Sequence, residues 1–157
     1  MRPTPNRVRE TLFNWLAPRV VGARCLDLFA GSGALGLEAL SRGAGHVTFV
    51  EQQREVARAL QAQLTFWQAS GYELVQTEAN GWLAHAAMQA FDIVFLDPPF
   101  AAGLSSKLLA LLRQHARLAP GAVIYLEQPA DAEPPPGWTV HRAGRAGAVG
   151  YYLLHDT

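Results

Sequence analysis

The stretch from Cys25 to Gly36 constrains the fold of this chain more than any other part of the sequence. It opens with a short apolar run, Cys25 to Phe29, which predicts a buried strand. The run is interrupted by Gly31 and Gly33, and the chain then continues as an apolar helix. A strand that ends in a glycine turn and leads into a helix is the opening unit of a nucleotide-binding α/β sheet. We therefore expect parallel strands with a ligand beside this turn.

The glycine turn by itself leaves the nature of the ligand open. The six residues from Gly31 to Gly36 match the dinucleotide fingerprint, so an NAD-dependent oxidoreductase is one interpretation. Asp27 favours another, because a carboxylate inside a buried strand is costly unless it is paired. The ammonium and sulfonium groups of a cofactor that carries an amino acid would supply such a partner, whereas a pyrophosphate would not.

Beyond this unit, apolar periodicity predicts strands that alternate with helices. The first helix is expected to begin at Asn6 and to stop before Pro18, ahead of the first strand. The last two apolar segments predict a hairpin, so the sheet should be mostly parallel with one antiparallel strand. The other predicted strands are 46–50, 72–77, 91–96, 122–126, 138–142 and 148–154, and the other predicted helices are 34–40, 54–68, 82–88 and 104–118, the last stopped by Pro120-Gly121.

Length and composition limit the class of protein. A chain of 157 residues can bury its own core, so we expect one domain over residues 1–157. No apolar run approaches the ~20 residues that span a bilayer, and no signal peptide is visible, so we expect a cytoplasmic protein without a membrane partner. The single cysteine, Cys25, excludes disulfides and cysteine zinc sites. The net charge of zero argues mildly against a dedicated nucleic-acid binder, although arginines are concentrated in the first 24 residues.

Two acidic residues follow predicted strands at positions that suit an adenosine group. Glu51 comes about twenty residues after the glycine turn, the distance at which an acidic residue meets a ribose diol. Glu78 and Asn80 follow the third strand, and ligands gather at the carboxyl ends of strands in such sheets. Either side chain could bond an adenine amino group, and a surface turn is nearly as good an interpretation of these residues.

The tetrapeptide Asp97-Pro98-Pro99-Phe100 follows the fourth predicted strand. Two successive prolines fix the backbone and remove two N–H donors, which leaves the Asp97 carboxylate and the Pro98 carbonyl as acceptors. Acceptors alone suit a substrate that offers only donors, such as the exocyclic amine of a base. Holding both amine hydrogens would aim the nitrogen lone pair at a sulfonium methyl group, so catalysis would be mostly orientation. Phe100 offers a stacking face to a base that is unpaired or flipped out.

Two other kinds of site find no support in the sequence. The histidines are dispersed, and no cluster of histidine, cysteine and acidic residues has the spacing of metal ligands. The serine elbow of the α/β-hydrolases is also missing.

Three blocks of the sequence together resemble the bacterial 16S ribosomal RNA guanine-N2 methyltransferase family (RsmD). The first is Arg2-Pro3-Thr4 with the stretch from Arg7 to Asn14, the second runs from Leu26 to Arg42, and the third is the Asp97 tetrapeptide. The similarity covers nearly the whole chain. The second block is close to diagnostic for the family, whereas the tetrapeptide is shared more widely.

The resemblance implies a Rossmann-like class I S-adenosylmethionine-dependent methyltransferase with helices on both faces of a seven-stranded sheet. It implies S-adenosyl-L-methionine as methyl donor and one guanine (the family target is guanine-966) of 16S ribosomal RNA, in the small ribosomal subunit or an assembly intermediate, as target. We expect a monomer in which residues 1–18 form a cofactor-capping extension and helix. Family members usually carry a basic, strand-rich segment before the Arg-Pro-Thr stretch, where this sequence begins, and that segment is expected to contribute to RNA binding.

The resemblance also implies roles for individual residues. Thr4 and the helix after it would close over the methionine end of the cofactor. Asp27 and the glycine turn would hold its amino-acid end, Glu51 its ribose, and Glu78 with Ala79 its adenine. The implied cofactor contacts are Thr4, Asp27, Phe29, Ala30, Gly31, Ser32, Gly33, Glu51, Gln52, Glu78, Ala79 and Asp97, and the implied catalytic residues are Asp97, Pro98, Pro99 and Phe100.

Three other functions compete with this one. The tetrapeptide also serves adenine-N6 methylation of DNA, although nothing in the sequence resembles a DNA target-recognition domain. The glycine turn leaves the NAD-dependent oxidoreductase open, and the missing basic segment makes a non-catalytic binding module conceivable.

Overall fold

The computed structural model describes residues 6–85, 89–97 and 104–156. Helices and strands alternate along most of this length, as the apolar periodicity predicts. The helices are Asn6–Leu16 (α1), Ala34–Ser41 (α2), Arg54–Phe66 (α3), Ala79–Ala84 (α4) and Leu104–Gln114 (α5). The strands are Arg24–Asp27 (β1), His46–Glu51 (β2), Tyr72–Gln76 (β3), Phe91–Leu96 (β4), Leu118–Pro129 (β5), Trp138–Ala146 (β6) and Val149–Asp156 (β7).

The strands form one sheet in the order β3-β2-β1-β4-β5-β7-β6. Strands β1 to β5 are parallel to one another, and β7 is antiparallel to both β5 and β6. The predicted sheet of seven strands with a C-terminal antiparallel hairpin strand is confirmed. Strands β2 and β3 are added on one side of β1, and β4 and β5 are added on the other side. Ligands of such sheets bind outside the carboxyl ends of the strands at the point where the strand order reverses, here between β1 and β4.

Helices cover both faces of the sheet. Leu12, Phe13 and Leu16 of α1 are fully buried, and the ring of Phe13 lies 5.9 Å from that of Phe95 on β4. Helices α2 and α3 share this hydrophobic cluster, while α4 and α5 contribute to the cluster on the opposite face. The side chains of one strand alternate between the two clusters, with Cys25 in the first and Leu26 in the second.

The largest difference from the sequence prediction concerns the end of α5. The helix stops at Gln114 instead of Leu118, and Ala116 takes a left-handed φ of 52°. The side chain of Arg117 is then fully buried and donates hydrogen bonds to the carbonyls of Trp82 (2.9 Å) and His85 (3.2 Å). The N–H of Arg117 donates to the carbonyl of Leu112 at 2.9 Å, so the left-handed turn at Ala116 closes the helix next to the buried side chain of Arg117.

The expected helix stop, Pro120-Gly121, lies inside β5. The register of β5 against β4 slips there, because Phe91 pairs with Leu118 and Ile93 with Val123. Strand β5 is therefore longer than predicted at both ends. The prediction for α4 was also displaced: the helix begins at Ala79 instead of Trp82, and its predicted end at Met88 lies outside the described residues.

Candidate active site

Four acidic residues mark the carboxyl ends of four adjacent strands. Cys25, Phe49, Phe95 and Tyr125 all belong to the hydrophobic cluster that faces α1. The residues two positions later are acidic in each case, and side chains two apart on a strand share a face. From one strand to the next these residues are Glu51 (β2), Asp27 (β1), Asp97 (after β4) and Glu127 (β5).

The glycine turn between β1 and α2 depends on left-handed backbone conformations. Gly31 has φ 55° and Gly33 has φ 79°, values that side chains disfavour. The N–H of Gly33 donates to the carbonyl of Ala30 at 2.7 Å, and the N–H of Ala30 donates to the carbonyl of Val50 at 3.1 Å. These bonds hold the turn against the end of β2.

The third glycine of the motif, Gly36, has a packing role. A Cβ atom at Gly36 would collide with the ring of Phe49, and one at Gly33 would collide with the side chain of Leu60. Gly36 therefore lets α2 lie directly on the sheet, and Gly33 lets the turn approach α3.

Asp27 is buried, with 4% of its surface exposed, at the N-terminus of α2. Its Oδ2 accepts the N–H of Gly36 at 3.1 Å, so the carboxylate caps the helix from the strand. Burial raises the pKa of Asp27 to about 7; the hydrogen bond from Gly36 opposes this shift, and the charge of Glu51 adds to it. A positively charged ligand group beside Asp27 would lower this raised pKa and stabilise the ionised carboxylate.

Glu51 fastens the glycine turn to the strand. Its Oε1 accepts the N–H of Gly31 at 2.9 Å, and its Oε2 accepts the N–H of Gln53 at 2.8 Å. A carboxylate has about four acceptor sites, so these two bonds leave capacity for hydroxyl donors. The sequence pattern predicts a ligand-binding role for Glu51 and gives no signal of these two hydrogen bonds within the protein.

Glu78 caps α4. Both of its carboxylate oxygens lie within hydrogen-bond distance of the N–H of Gly81, at 3.3 and 3.4 Å. The N–H of Thr77 donates to the carbonyl of Glu51 at 3.1 Å, which joins the end of β3 to that of β2. Glu78 and Ala79 thus lie at the same edge of the sheet as Glu51, and their contact with adenine stays a prediction.

The other predicted site residues are distributed around this edge. Asp97 is partly exposed, and the N–H of Leu28 donates to the carbonyl of Phe95 at 3.2 Å, so the ends of β1 and β4 are held together. Phe29 is partly buried against the α4–α5 side, while Ser32 and Gln52 are exposed. Thr4, Pro98, Pro99 and Phe100 lie outside the described residues.

Tyr125 and Glu127 are the residues that sequence analysis missed. The Tyr125 hydroxyl donates to Oε2 of Glu127 at 2.7 Å, and both residues are buried. Burial raises the pKa of Tyr125, and the charges of Glu127 and Asp97 raise it further. An acidic residue directly after a predicted apolar strand was the available signal, as at Glu51 and Asp97.

The arrangement suits a ligand that carries both a cationic group and hydroxyl groups. The buried carboxyl of Asp27 suits an ammonium group, and Glu51 retains acceptors for a diol.

Within residues 6–85, 89–97 and 104–156, no group of three histidine, cysteine or acidic residues could hold a metal. In the same ranges, no helix is long and apolar enough to cross a membrane.

A separate cleft of about 320 Å³ runs along the outer surface of α2 and α3. Ser32 lies in its wall, together with Gln63 and Trp67 of the α3 end. None of the four acidic residues at the sheet edge lines this cleft. We therefore assign the candidate site to the sheet edge.

The whole length of the chain is similar to known proteins. Residues 1–155 match the family model described as "Conserved hypothetical protein 95". The chain is 46% identical to "Ribosomal RNA small subunit methyltransferase D" of Escherichia coli K12, over 98% of this chain and 78% of that protein. The protein of the same name from Haemophilus influenzae is 42% identical over 99% of this chain and 83% of its own length.

Solved structures agree with these sequence matches. "Putative methyltransferase yhhF" from Escherichia coli superposes with a TM-score of 0.91 and 46% identity, covering 99% of this chain and 88% of that one. A methylase structure from Haemophilus influenzae, also described as putative, gives a TM-score of 0.87 and 42% identity, covering 98% and 99% of the two chains. The expected Rossmann-like methyltransferase fold is confirmed.

Proposed function

Because the chain belongs to the ribosomal RNA small subunit methyltransferase D family, we propose that it methylates the exocyclic N2 of one guanine in 16S ribosomal RNA. The coarser assignment, methylation of small-subunit ribosomal RNA, follows from family membership. The finer one rests on the chemistry of the site, and the methyl donor is S-adenosyl-L-methionine.

One observation carries the proposal. Asp27, Glu51 and Asp97 meet at the carboxyl ends of three adjacent strands, beside the glycine turn and at the reversal of the sheet. A cofactor with an ammonium group and a ribose needs two separated acceptors, and an amine substrate needs a third. The three carboxylates supply these acceptors in one row.

Each part of the cofactor would find a matching group of the chain. Asp27 and the glycine turn would hold the amino-acid end, with Phe29, Ala30, Ser32 and Thr4 around it. Glu51 and Gln52 would hold the ribose, and Glu78 with Ala79 the adenine. When bound, S-adenosylmethionine would supply the methyl group for the guanine N2 and would leave as S-adenosylhomocysteine, and the proton that the nitrogen releases would pass to solvent.

Asp97 would orient the nitrogen. Its carboxylate would accept one amine hydrogen and the Pro98 carbonyl the other, while Pro99 keeps the backbone rigid and Phe100 stacks on the base. The amine lone pair of guanine is delocalised into the ring, so holding both hydrogens aims it out of the plane. The contribution of the protein is therefore positional.

The test uses small ribosomal subunits that lack the modification and S-adenosylmethionine labelled in its methyl group. We expect one labelled guanine, methylated at N2, and a loss on the order of a hundredfold in rate for Asp97→Asn. Asp131→Asn, a change at an exposed acidic residue of the same chain, should leave the rate unchanged. Unlabelled RNA with the intact protein, or full activity of the Asp97 variant, would refute the proposal.

The same assay separates the competing functions. Label in the adenines of added DNA would indicate the adenine-N6 reaction. The methylation rates of naked 16S RNA and of small subunits would show which of the two is the substrate. The relatives named above are methyltransferases, which favours methyl transfer over hydride transfer at the glycine turn. We also propose that the protein acts as a monomer in the cytoplasm, where ribosomes are assembled.

A further inference from the structure

By extension of the register between β4 and β5, Glu127 lies opposite Asp97, the residue that follows β4. Phe95 pairs with Tyr125 and Leu96 with Leu126, so the next position joins Asp97 to Glu127. Adjacent strands lie about 4.8 Å apart, and both side chains share the face covered by α1. Because β5 lies on the side of β4 away from β1, Glu127 lies beyond Asp97 when viewed from the glycine turn.

The carboxylate of Glu127 is held in a fixed position. The hydroxyl of Tyr125 donates to Oε2 at 2.7 Å, and this tyrosine is fully buried. On the other side, Glu127 pairs with Tyr151 of β7, whose ring stacks on Trp15 with 5.5 Å between centroids. A bond from a hydroxyl donor keeps Glu127 as an acceptor of further hydrogen bonds.

By the register of β4 and β5, the carboxylates of Asp97 and Glu127 present hydrogen-bond acceptors side by side at one edge of the sheet. A base that offers two neighbouring donors would match this pair. The Watson–Crick edge of guanine carries such donors in a row, the N1–H and the N2 amine. Adenine carries an acceptor at N1 instead, which a carboxylate would repel.

We infer that Glu127 is a specificity-determining residue: it accepts the N1–H of the target guanine while the N2 amine is held at Asp97, and it thereby rejects adenine. The inference rests on the proposed function and extends it to a residue of β5. It also explains how a site with the Asp-Pro-Pro-Phe tetrapeptide, which suits either amine, selects one base.

The experiment compares two target bases in otherwise identical RNA within small subunits: guanine and 2-aminopurine, which keeps the N2 amine and has an acceptor at N1. For the intact protein we expect kcat/KM to fall about tenfold to a hundredfold with 2-aminopurine, the usual range for one hydrogen bond to a charged group. For Glu127→Gln, whose side chain amide also offers a donor, the two bases should be methylated at rates within about threefold of each other. With S-adenosylhomocysteine bound, the intact protein should bind the 2-aminopurine RNA about tenfold to a hundredfold more weakly than the guanine RNA. The Glu127→Gln variant should bind the two RNAs with Kd values within about threefold of each other.

Tyr125→Phe is the matched control, because it removes the hydroxyl bond and leaves the carboxylate. This variant should lose rate on both bases and keep its preference for guanine. An unchanged guanine preference in Glu127→Gln would overturn the inference. If that variant does not fold, the intact protein decides alone: equal rates on guanine and 2-aminopurine overturn the inference, although the proposed function would stand. If guanine itself is not methylated, both fail.

Discussion

At the scale of single residues, the site is built from carboxyl groups that already serve the fold. Asp27 caps α2 through Gly36, and Glu51 fastens Gly31 and Gln53. Such bonds fix each carboxylate before any ligand arrives, so less ordering remains to be done on binding. In the proposed function, the same residues would couple the affinity for the cofactor to local stability.

The pH dependence of stability should reveal Asp27. Its pKa rises from an ordinary value near 3.8 when unfolded to about 7 when folded, so the folded state holds its proton over a wider range. The stabilising contribution is complete below pH ~4 and is lost as the pH rises through 7. In urea denaturation, the free energy of unfolding of the wild type minus that of Asp27→Asn should decrease as the pH rises from about 4 to 7. The exposed Asp131→Asn should show no such trend, and a difference that grew with pH would contradict the assignment.

At the scale of elements, close contact between helix and sheet sets the position of the turn. Helix α2 has only eight residues, and Gly36 within it faces the ring of Phe49 on β2. A short helix fixed this closely cannot slide along the strand. The N-terminal end of α2 therefore stays beside Asp27.

Gly36→Ala tests this contact. The added methyl group meets the Phe49 ring and should lower the free energy of unfolding by about 1–3 kcal/mol. Gly81→Ala in α4 is the control, because a Cβ there meets only Glu78 Oε2 at 3.8 Å and alanine is the better helix former. It should be neutral or stabilising by up to about 1 kcal/mol. Equal effects in urea denaturation would mean that packing at Phe49 is not the cause.

Arg117 connects two elements on the opposite face. Its guanidinium lies 4.5 Å from the ring centroid of Trp82 and donates to two carbonyls at the end of α4. Arg117→Ala should lower the free energy of unfolding by about 1–3 kcal/mol. It removes these bonds and leaves a cavity, but it also removes Nε and Nη1 of the guanidinium, which are buried without a hydrogen-bond partner among the described residues. Arg58→Ala, at an exposed position of α3, should change the free energy of unfolding by about 0.5 kcal/mol or less. Similar losses for both variants would refute the structural role of Arg117.

At the scale of the whole molecule, the proposed cofactor would touch the ends of β1, β2, β3 and β4. A ligand that joins four strands should stabilise the domain as a unit. At a hundred times its Kd, S-adenosylhomocysteine should add about 2.7 kcal/mol, which raises Tm by roughly 5–10 °C in a domain of this size. NAD at the same concentration should leave Tm unchanged, and the reverse result would restore the oxidoreductase hypothesis. Thermal denaturation followed by circular dichroism makes both measurements.

The sequence predicts the sheet and the central unit well because their signals are local. Apolar runs identify the strands, and the glycines of the turn mark where the first one ends. The end of α5 and the length of β5 could not be predicted in this way, because the burial of Arg117 under Trp82 depends on tertiary packing. The sequence carried a local signal for Glu127, an acidic residue after an apolar strand, but its position beside Asp97 depends on the pairing of β4 with β5.

The reversal of strand order between β1 and β4 separates the residues proposed to bind the methyl donor from those proposed to bind the recipient base. The residues proposed for the methyl donor lie almost entirely before β4, and those proposed for the recipient base come after it. In related proteins, substitutions in β5 and in the segment after β4 could therefore change the substrate base. The residues proposed to bind the cofactor would not have to change with them.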